Sequence, residues 1–217
     1  TVWHQADRYK VPRIAFINKM DRNGADMFHT VEMMNEMLDA NALPFQMPIG
    51  EEDKFEGIVD LVRMKATYYD GLQRVEKERP EALLPKAKEL HDNLIVTLSD
   101  YDDNLMEKYL NEEEISSDDI IKAARTAVLG IFITPVFCGS AFKNKGIQLL
   151  LDAVVNYLPS PIDRGVVSGT DVLDSDTIIT RRPSTKRPFS ALAFKIINDP
   201  YVGQQTFIRV YSGELKA

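Results

Sequence analysis

Val11-Pro12-Arg13-Ile14-Ala15-Phe16-Ile17-Asn18-Lys19-Met20-Asp21 decides how this chain is read. A largely apolar run, expected as a buried strand over residues 11–17, ends directly in Asn-Lys-x-Asp. Those residue types suit a loop that recognises guanine. Guanine presents two adjacent donors, N1–H and the 2-amino group, and the Asp21 carboxylate can accept both at once. Adenine offers no such pair and leaves Asp21 desolvated and unpaired, at a cost of roughly 1–3 kcal/mol. Asn18 can bond the O6/N7 edge or brace neighbouring loops, and the Lys19 stem can lie flat on the base. Met20 completes the tetrad.

A second loop, Gly139-Ser140-Ala141, follows the strand-like run Ile133-Thr134-Pro135-Val136-Phe137-Cys138 and precedes a helix expected over residues 147–158. In an open parallel sheet, ligands sit beyond the carboxyl ends of the strands, so two strand-to-helix loops converge on one base. Ser140 and Ala141 are expected to offer backbone N–H groups to guanine O6, where a side chain larger than Ala would crowd the ring.

The phosphate-binding signature Gly-x4-Gly-Lys-[Ser/Thr] is missing, since none of the eleven glycines is followed by Lys. Asp21-Arg22-Asn23-Gly24 spells Asp-x-x-Gly, the pattern of a γ-phosphate sensor, but overlaps the base-reading tetrad and is a decoy. The chain opens on Thr1-Val2-Trp3 without an initiator Met or signal peptide. Base-reading parts without phosphate-reading parts lead us to expect a piece of a longer protein, one that by itself hydrolyses no GTP.

Composition fits a water-soluble intracellular protein: 44% hydrophobic, 27% charged, and no apolar stretch long enough for a membrane span. The single cysteine, Cys138, has no disulfide partner and suits a buried strand as a small apolar side chain. His4, His29 and His91 are scattered, so no metal cluster is expected. A net charge of −7 argues against non-specific binding of nucleic acid by the whole chain.

After the tetrad, Met27, Phe28, Val31, Met34 and Leu38 recur at helical spacing, and the nearby Met20, Met33 and Met37 read as core filler. Residues 41–130 then separate the two loops where a minimal domain would need one short connection. This insert reads as α+β with a small core of its own that leans on the main sheet. Strands are expected over 44–49 and 55–64, with 67–69 extending the second or opening a third. Helices are expected over 80–98 and 102–110, with another starting at Ser117-Asp118-Asp119-Ile120. Between residues 100 and 119, nine Asp and Glu residues stand against Lys108 alone. That is either a solvated face or a docking surface for a basic partner. Residues 163–186 read as a connection with one irregular strand. Residues 189–197 and 204–211 alternate as strands around Asp199-Pro200-Tyr201-Val202-Gly203.

These residues resemble the elongation factor G family of translational GTPases. The likeness rests on Arg8 to Phe16, on Asn18-Lys19-Met20-Asp21-Arg22, and on Cys138-Gly139-Ser140-Ala141-Phe142-Lys143-Asn144-Lys145-Gly146. Leu158-Pro159-Ser160-Pro161 and Phe194-Lys195-Ile196 through Gly203 extend it. It implies an α/β fold: a partial P-loop-GTPase-type parallel sheet with an α+β inserted subdomain, then the first strands of a β-barrel domain. Residues 1–40 and 131–162 would be the back half of the GTP-binding domain, 41–130 the inserted subdomain, and 163–217 the linker and barrel opening. Asn18, Lys19, Met20, Asp21, Ser140, Ala141 and Phe142 would bind guanine in GTP or GDP. Magnesium and the catalytic histidine belong to the parent and find no ligand or position here. Such factors use GTP to move tRNA and mRNA through the ribosome, and some relatives split or protect ribosomes. The resemblance therefore implies a cytoplasmic parent that contacts the ribosome, including ribosomal RNA, without a membrane. It also gives the acidic insert, with Asp102, Asp103 and Glu107 at its centre, the ribosomal stalk protein as a partner. The piece is expected to be a monomer. An unrelated α/β nucleotide enzyme is the remaining alternative, but no Gly-x-Gly-x-x-Gly or nucleophile motif supports it.

Overall fold

Three short apolar strands hydrogen-bonded in parallel carry both candidate loops out of the same sheet end. The computed structural model describes residues 1–70, 73–171 and 173–216, and the chain divides after Leu158 into two units. The first contains α1 (Val2–Arg8), β1 (Ala15–Ile17), α2 (Met27–Leu38), β2 (Ala42–Pro44), β3 (Gln46–Ile49), β4 (Gly57–Asp60), β5 (Lys65–Asp70) and β6 (Gln73–Lys77). It continues with α3 (Leu84–Ser99), α4 (Asp103–Leu110), α5 (Ser117–Leu129), β7 (Thr134–Cys138) and α6 (Ile147–Tyr157). The second contains α7 (Pro161–Arg164), β8 (Val167–Thr170), β9 (Ile178–Arg181), β10 (Ser190–Asp199) and β11 (Gly203–Ser212).

The parallel sheet has the order β1-β7-β2, with Ile17 opposite Cys138 and Ala42 opposite Thr134. All five residues of β7 are buried, as a central parallel strand requires. Only residues 15–17 of the expected 11–17 strand pair. Pro12 lacks an N–H, Lys10 takes a left-handed φ of 50°, and the Val11 N–H turns back to Ala6 O. Asp26 caps α2 by accepting the His29 N–H at 3.0 Å. Of the methionines read as filler, Met20 is buried, but Met33 and Met37 are exposed on the outer face of α2.

The insert differs from its expected form in three ways. The expected 44–49 strand splits at Phe45: β2 joins the parallel sheet, while β3 opens an antiparallel sheet ordered β3-β4-β5-β6. The expected 55–64 strand pairs only over β4, and Asp60 accepts the Val62 and Arg63 N–H groups to turn the chain. β6, fully exposed and charged, was not anticipated, because an edge strand has no buried face to impose alternation.

The core of the insert is shared with the parallel-sheet layer. One cluster joins Phe45, Met47, Val59 and Leu61 to Ala87, Leu94 and Leu98 of α3, Ile120 and Ala124 of α5, and Phe137, Ala153 and Tyr157 of the parallel-sheet layer. A second cluster places Met20, Met27 and Val31 against Phe55, Ile58, Val136 and Cys138. Burial pushes the Cys138 thiol up to about 12, which leaves it an inert core group. His91 packs with Nδ1 at 2.6 Å from Leu61 O.

α5 begins at Ser117, as expected, and the residue before it, Ser116, is its cap. Ser116 Oγ accepts the Asp119 N–H at 3.2 Å, and Asp119 Oδ2 accepts the Ser116 N–H at 3.0 Å, a reciprocal capping box. Lys108, 2.8 Å from Asp119 Oδ2, and the Ser116 groups hold the carboxyl down to about 2. Asp119→Ala is expected to destabilise the first unit by about 1–2 kcal/mol, read as a lower urea midpoint. Because the folded value is depressed, this stabilisation is complete above the unfolded value of about 3.9. It fades as pH falls from there towards about 2. The urea midpoints of variant and parent should converge over that window.

In the second unit, α7, with its own Ser160–Asp163 capping box, leads into the stretch read as a connection, which contains the antiparallel β8–β9 hairpin. β10 and β11 pair over nearly their whole length, and Asp199 accepts the Tyr201 and Val202 N–H groups at 2.8 and 2.9 Å to shape the turn. The described residues of this unit form two hairpins, β8–β9 and β10–β11, and Phe194, Ile196 and Val210 are exposed. Val172 and Ala217, which fall within the expected linker and barrel opening, lie outside the described residues.

Candidate functional site

The loops after β1 and β7 are bonded to each other. Gly139 N–H donates to Ile17 O and Met20 N–H to Gly139 O, each at 3.0 Å, extending the β1–β7 pairing into the loops. Asn18 Oδ1 accepts the Lys19 N–H at 2.8 Å and, across 123 positions of sequence, the Ala141 N–H at 2.9 Å. Asn18 is therefore the brace between the loops.

Asp21 lies at the centre, its side chain 10% exposed. The Ser140 side chain hydrogen-bonds to it, and Lys143 Nζ stands 3.2 Å from Oδ2. The Ser140 bond first, and the Lys143 ammonium with it, hold the Asp21 carboxyl below the usual carboxylate range against the opposing pull of burial. The carboxylate is therefore ionised and acceptor-only near neutral pH.

The remaining expected residues divide into two groups. Lys19, with a left-handed φ of 64°, is exposed beside Asp21, and Phe142 is 97% exposed at the tip of the second loop. Met20 is buried at 2%, so its side chain anchors the tetrad in the core rather than facing a ligand. Ser140 and Ala141 differ from the expectation that both N–H groups are offered to O6: the Ser140 N–H closes on Lys145 O at 2.9 Å, the Lys145 N–H returns to Ser140 O at 3.0 Å, and the Ala141 N–H is held by Asn18 Oδ1 at 2.9 Å. The Ser140 hydroxyl is the group turned to the site. Glycine is required at 139 and 146, where an added Cβ would meet Lys145 O at 2.3 Å and Cys138 O at 2.5 Å.

Lys143 and Lys145 received no role from sequence, although both stand in the motif that carries the resemblance. A cation two residues after Ser-Ala, facing an obligatory Asp, was the signal for Lys143. Nothing local marked Lys145, whose partner Phe55 O lies across the fold.

In the insert, Asp102 is the N-cap of α4 and accepts the Leu105 N–H at 3.0 Å, while Asp103 and Glu107 are exposed. Tyr109 and Leu110 add exposed apolar surface on the same helix. A cavity of about 150 Å³ lies away from both loops, between the antiparallel sheet and α6. Arg74 crosses its mouth, bonded to Asp152 at 3.1 Å and Glu76 at 2.9 Å, which makes it an ion-pair seam. Among the described residues, no group of three or more His, Cys, Asp or Glu side chains is placed to hold a metal ion. None of their helices is long and apolar enough to cross a membrane.

A parallel α/β sheet with two strand-to-helix loops bonded around a partly buried carboxylate defines a nucleotide-binding domain. Residues 1–160 match the family model described as the elongation factor Tu GTP binding domain, and the chain belongs to that family. It is thus a GTP-binding domain of the translational GTPase kind. A crystal structure of a protein from Thermus thermophilus is similar over 99% of this chain, with a TM-score of 0.77 and 28% sequence identity. The match covers 29% of that protein, so the chain spans less than a third of its length.

Proposed function

We propose that this chain is the guanine-reading part of a GTPase of the elongation factor G type, whose full-length form drives GTP-dependent movement of tRNA and mRNA on the ribosome. The observation that carries the reading is the Asn18–Ala141 bond at 2.9 Å with Asp21 held ionised beside it. On arrival of the base, Lys143 leaves Oδ2, and the Asp21 oxygens accept guanine N1–H and the 2-amino group. Asn18 keeps the loops in register by holding the Ala141 N–H, and Lys19 and Phe142 cover the two faces of the ring. GDP should therefore outcompete ADP for the full-length protein by about 100-fold or more. Equal competition in a fluorescent-nucleotide displacement assay would refute the reading. The isolated chain is expected to turn over no GTP, because its sequence contains no Gly-x4-Gly-Lys element to hold the phosphates.

A second reading concerns the insert: α4 docks the ribosomal stalk protein through Asp103 and Glu107, with Tyr109 and Leu110 as apolar anchors. Asp102 stays out of the test because its loss would uncap the helix. Asp103→Lys with Glu107→Lys is expected to slow stalk association about tenfold at low salt. Titrations that respond to neither substitution nor salt leave a solvated face. Ribosome splitting or protection by the full-length protein is the alternative within the same family.

A further inference from the structure

Both base-reading loops are tied to one short segment of the insert. After the tetrad, the Gly24 N–H donates to Glu52 Oε1 at 2.7 Å. Beyond Ser140, Lys145 Nζ donates to Phe55 O at 2.6 Å and stands 5.7 Å from the centre of the Phe55 ring. The two tethers thus meet within one 3₁₀ turn, Glu52–Lys54, and its flanks.

That turn is stiff. Gly50 has φ of 79°, where an added Cβ would fall 2.0 Å from Lys54 O, and Glu52 itself holds a left-handed φ of 52°. The Lys54 and Phe55 N–H groups close on Glu51 O and Glu52 O, and Glu56 N–H on Ile49 O. Phe55 is buried at 2%. A non-glycine residue in this backbone region is strained, and the contacts around it hold it there.

The far end of each tether reaches a group that meets guanine. Lys145 pairs by both backbone groups with Ser140, whose hydroxyl bonds Asp21. Gly24 follows Asp21 in the same turn, where Arg22 N–H bonds Lys19 O and Ala25 N–H bonds Arg22 O. A shift of the 52–55 turn therefore moves Ser140 and Asp21 together. We infer that Glu52 and Lys145 are positioning residues that fix the aim of the Asp21 carboxylate, so that the insert sets how strictly guanine is read.

This rests on the base-site reading above, and the experiment separates the two. The measurement is the dissociation constant of the full-length protein for GDP and for inosine diphosphate, which keeps O6 and N1–H but lacks the 2-amino group. Glu52→Ala and Lys145→Met are each expected to weaken GDP binding about tenfold. Binding of inosine diphosphate should weaken much less, so the preference between the two shrinks. Glu52→Gln and Lys145→Arg, which keep an acceptor and a donor, should stay within about twofold of the parent. Because the effects run through one turn, the double variant should lose less than the product of the single losses. GDP binding unchanged in Glu52→Ala and Lys145→Met, or both nucleotides weakened in equal proportion, would overturn the inference. If Asp21→Asn moves base preference while these variants do not, the bridge alone fails. If Asp21→Asn moves nothing, the base-site reading fails and the bridge with it.

Discussion

Asp21→Asn in the full-length protein is expected to weaken GDP binding on the order of 100-fold and to favour xanthosine diphosphate instead. Xanthine presents a 2-oxo acceptor where guanine presents the 2-amino donor, so an amide N–H replaces the carboxylate as the matching group. Lys143 strengthens the expectation. Its ammonium stands 3.2 Å from Oδ2 and leaves when the base arrives, so an Asn here can accept the xanthine N1–H with its carbonyl oxygen and donate its NH2 to the 2-oxo group. The pH dependence follows from the direction of the Asp21 shift. Its folded value is depressed by the Ser140 bond and by Lys143, so guanine preference should stay flat from about pH 8 to about pH 5. It should decline only below the ordinary carboxylate value of about 3.9. Competition between GDP and xanthosine diphosphate tests both points. A variant that still prefers guanine removes Asp21 from base recognition.

Phe45→Ala is the second large effect expected, a loss of about 3–5 kcal/mol and a fall in melting temperature of about 10 °C. Phe45 is 1% exposed. It packs edge-on to Tyr157 at 5.2 Å between ring centroids and tilted against Phe137 at 5.8 Å. Its N–H bonds Val136 O, and its carbonyl receives the Leu61 N–H. It is the residue at which the parallel sheet becomes the antiparallel one, so the cavity would open inside the cluster that α3 and α5 share with β7 and α6. The loss should therefore appear as one earlier transition of the first unit. An insert that melts separately, with the parallel sheet unaffected, would show that the two layers do not share a core.

The helices were legible because their signals are local. α2 announced itself through Met27, Phe28, Val31, Met34 and Leu38 at helical spacing. Residues 133–138 were legible as a buried strand, and the five that form β7, Thr134–Cys138, are buried throughout. α5 likewise starts at Ser117, where it was expected, with Ser116 as its cap. Where local signals are weak, the reading failed. The β8–β9 hairpin was hidden in a polar stretch whose residues are mostly exposed, so it lacks the alternation that a buried face would impose. Met33 and Met37 were assigned to the core by residue type, whereas the packing of α2 turns that face outward.

At the site, the sequence by itself determined which groups are present: an Asn, a Lys and an Asp leaving one apolar strand, and a Ser and an Ala leaving another. Those types fix what can be donated or accepted, and that chemistry needs no coordinates. Only the tertiary structure decided which groups are already engaged. The Ser140 N–H is closed on Lys145 O, Asn18 spends its carbonyl oxygen on Ala141, and Lys143 holds Asp21. Only the tertiary structure, too, tied both loops to Glu52 and Phe55. The physical reason is range. Turn chemistry and periodicity act over a few residues, whereas parallel pairing, a shared core and these tethers join segments far apart in the chain, whose meeting depends on every element between them.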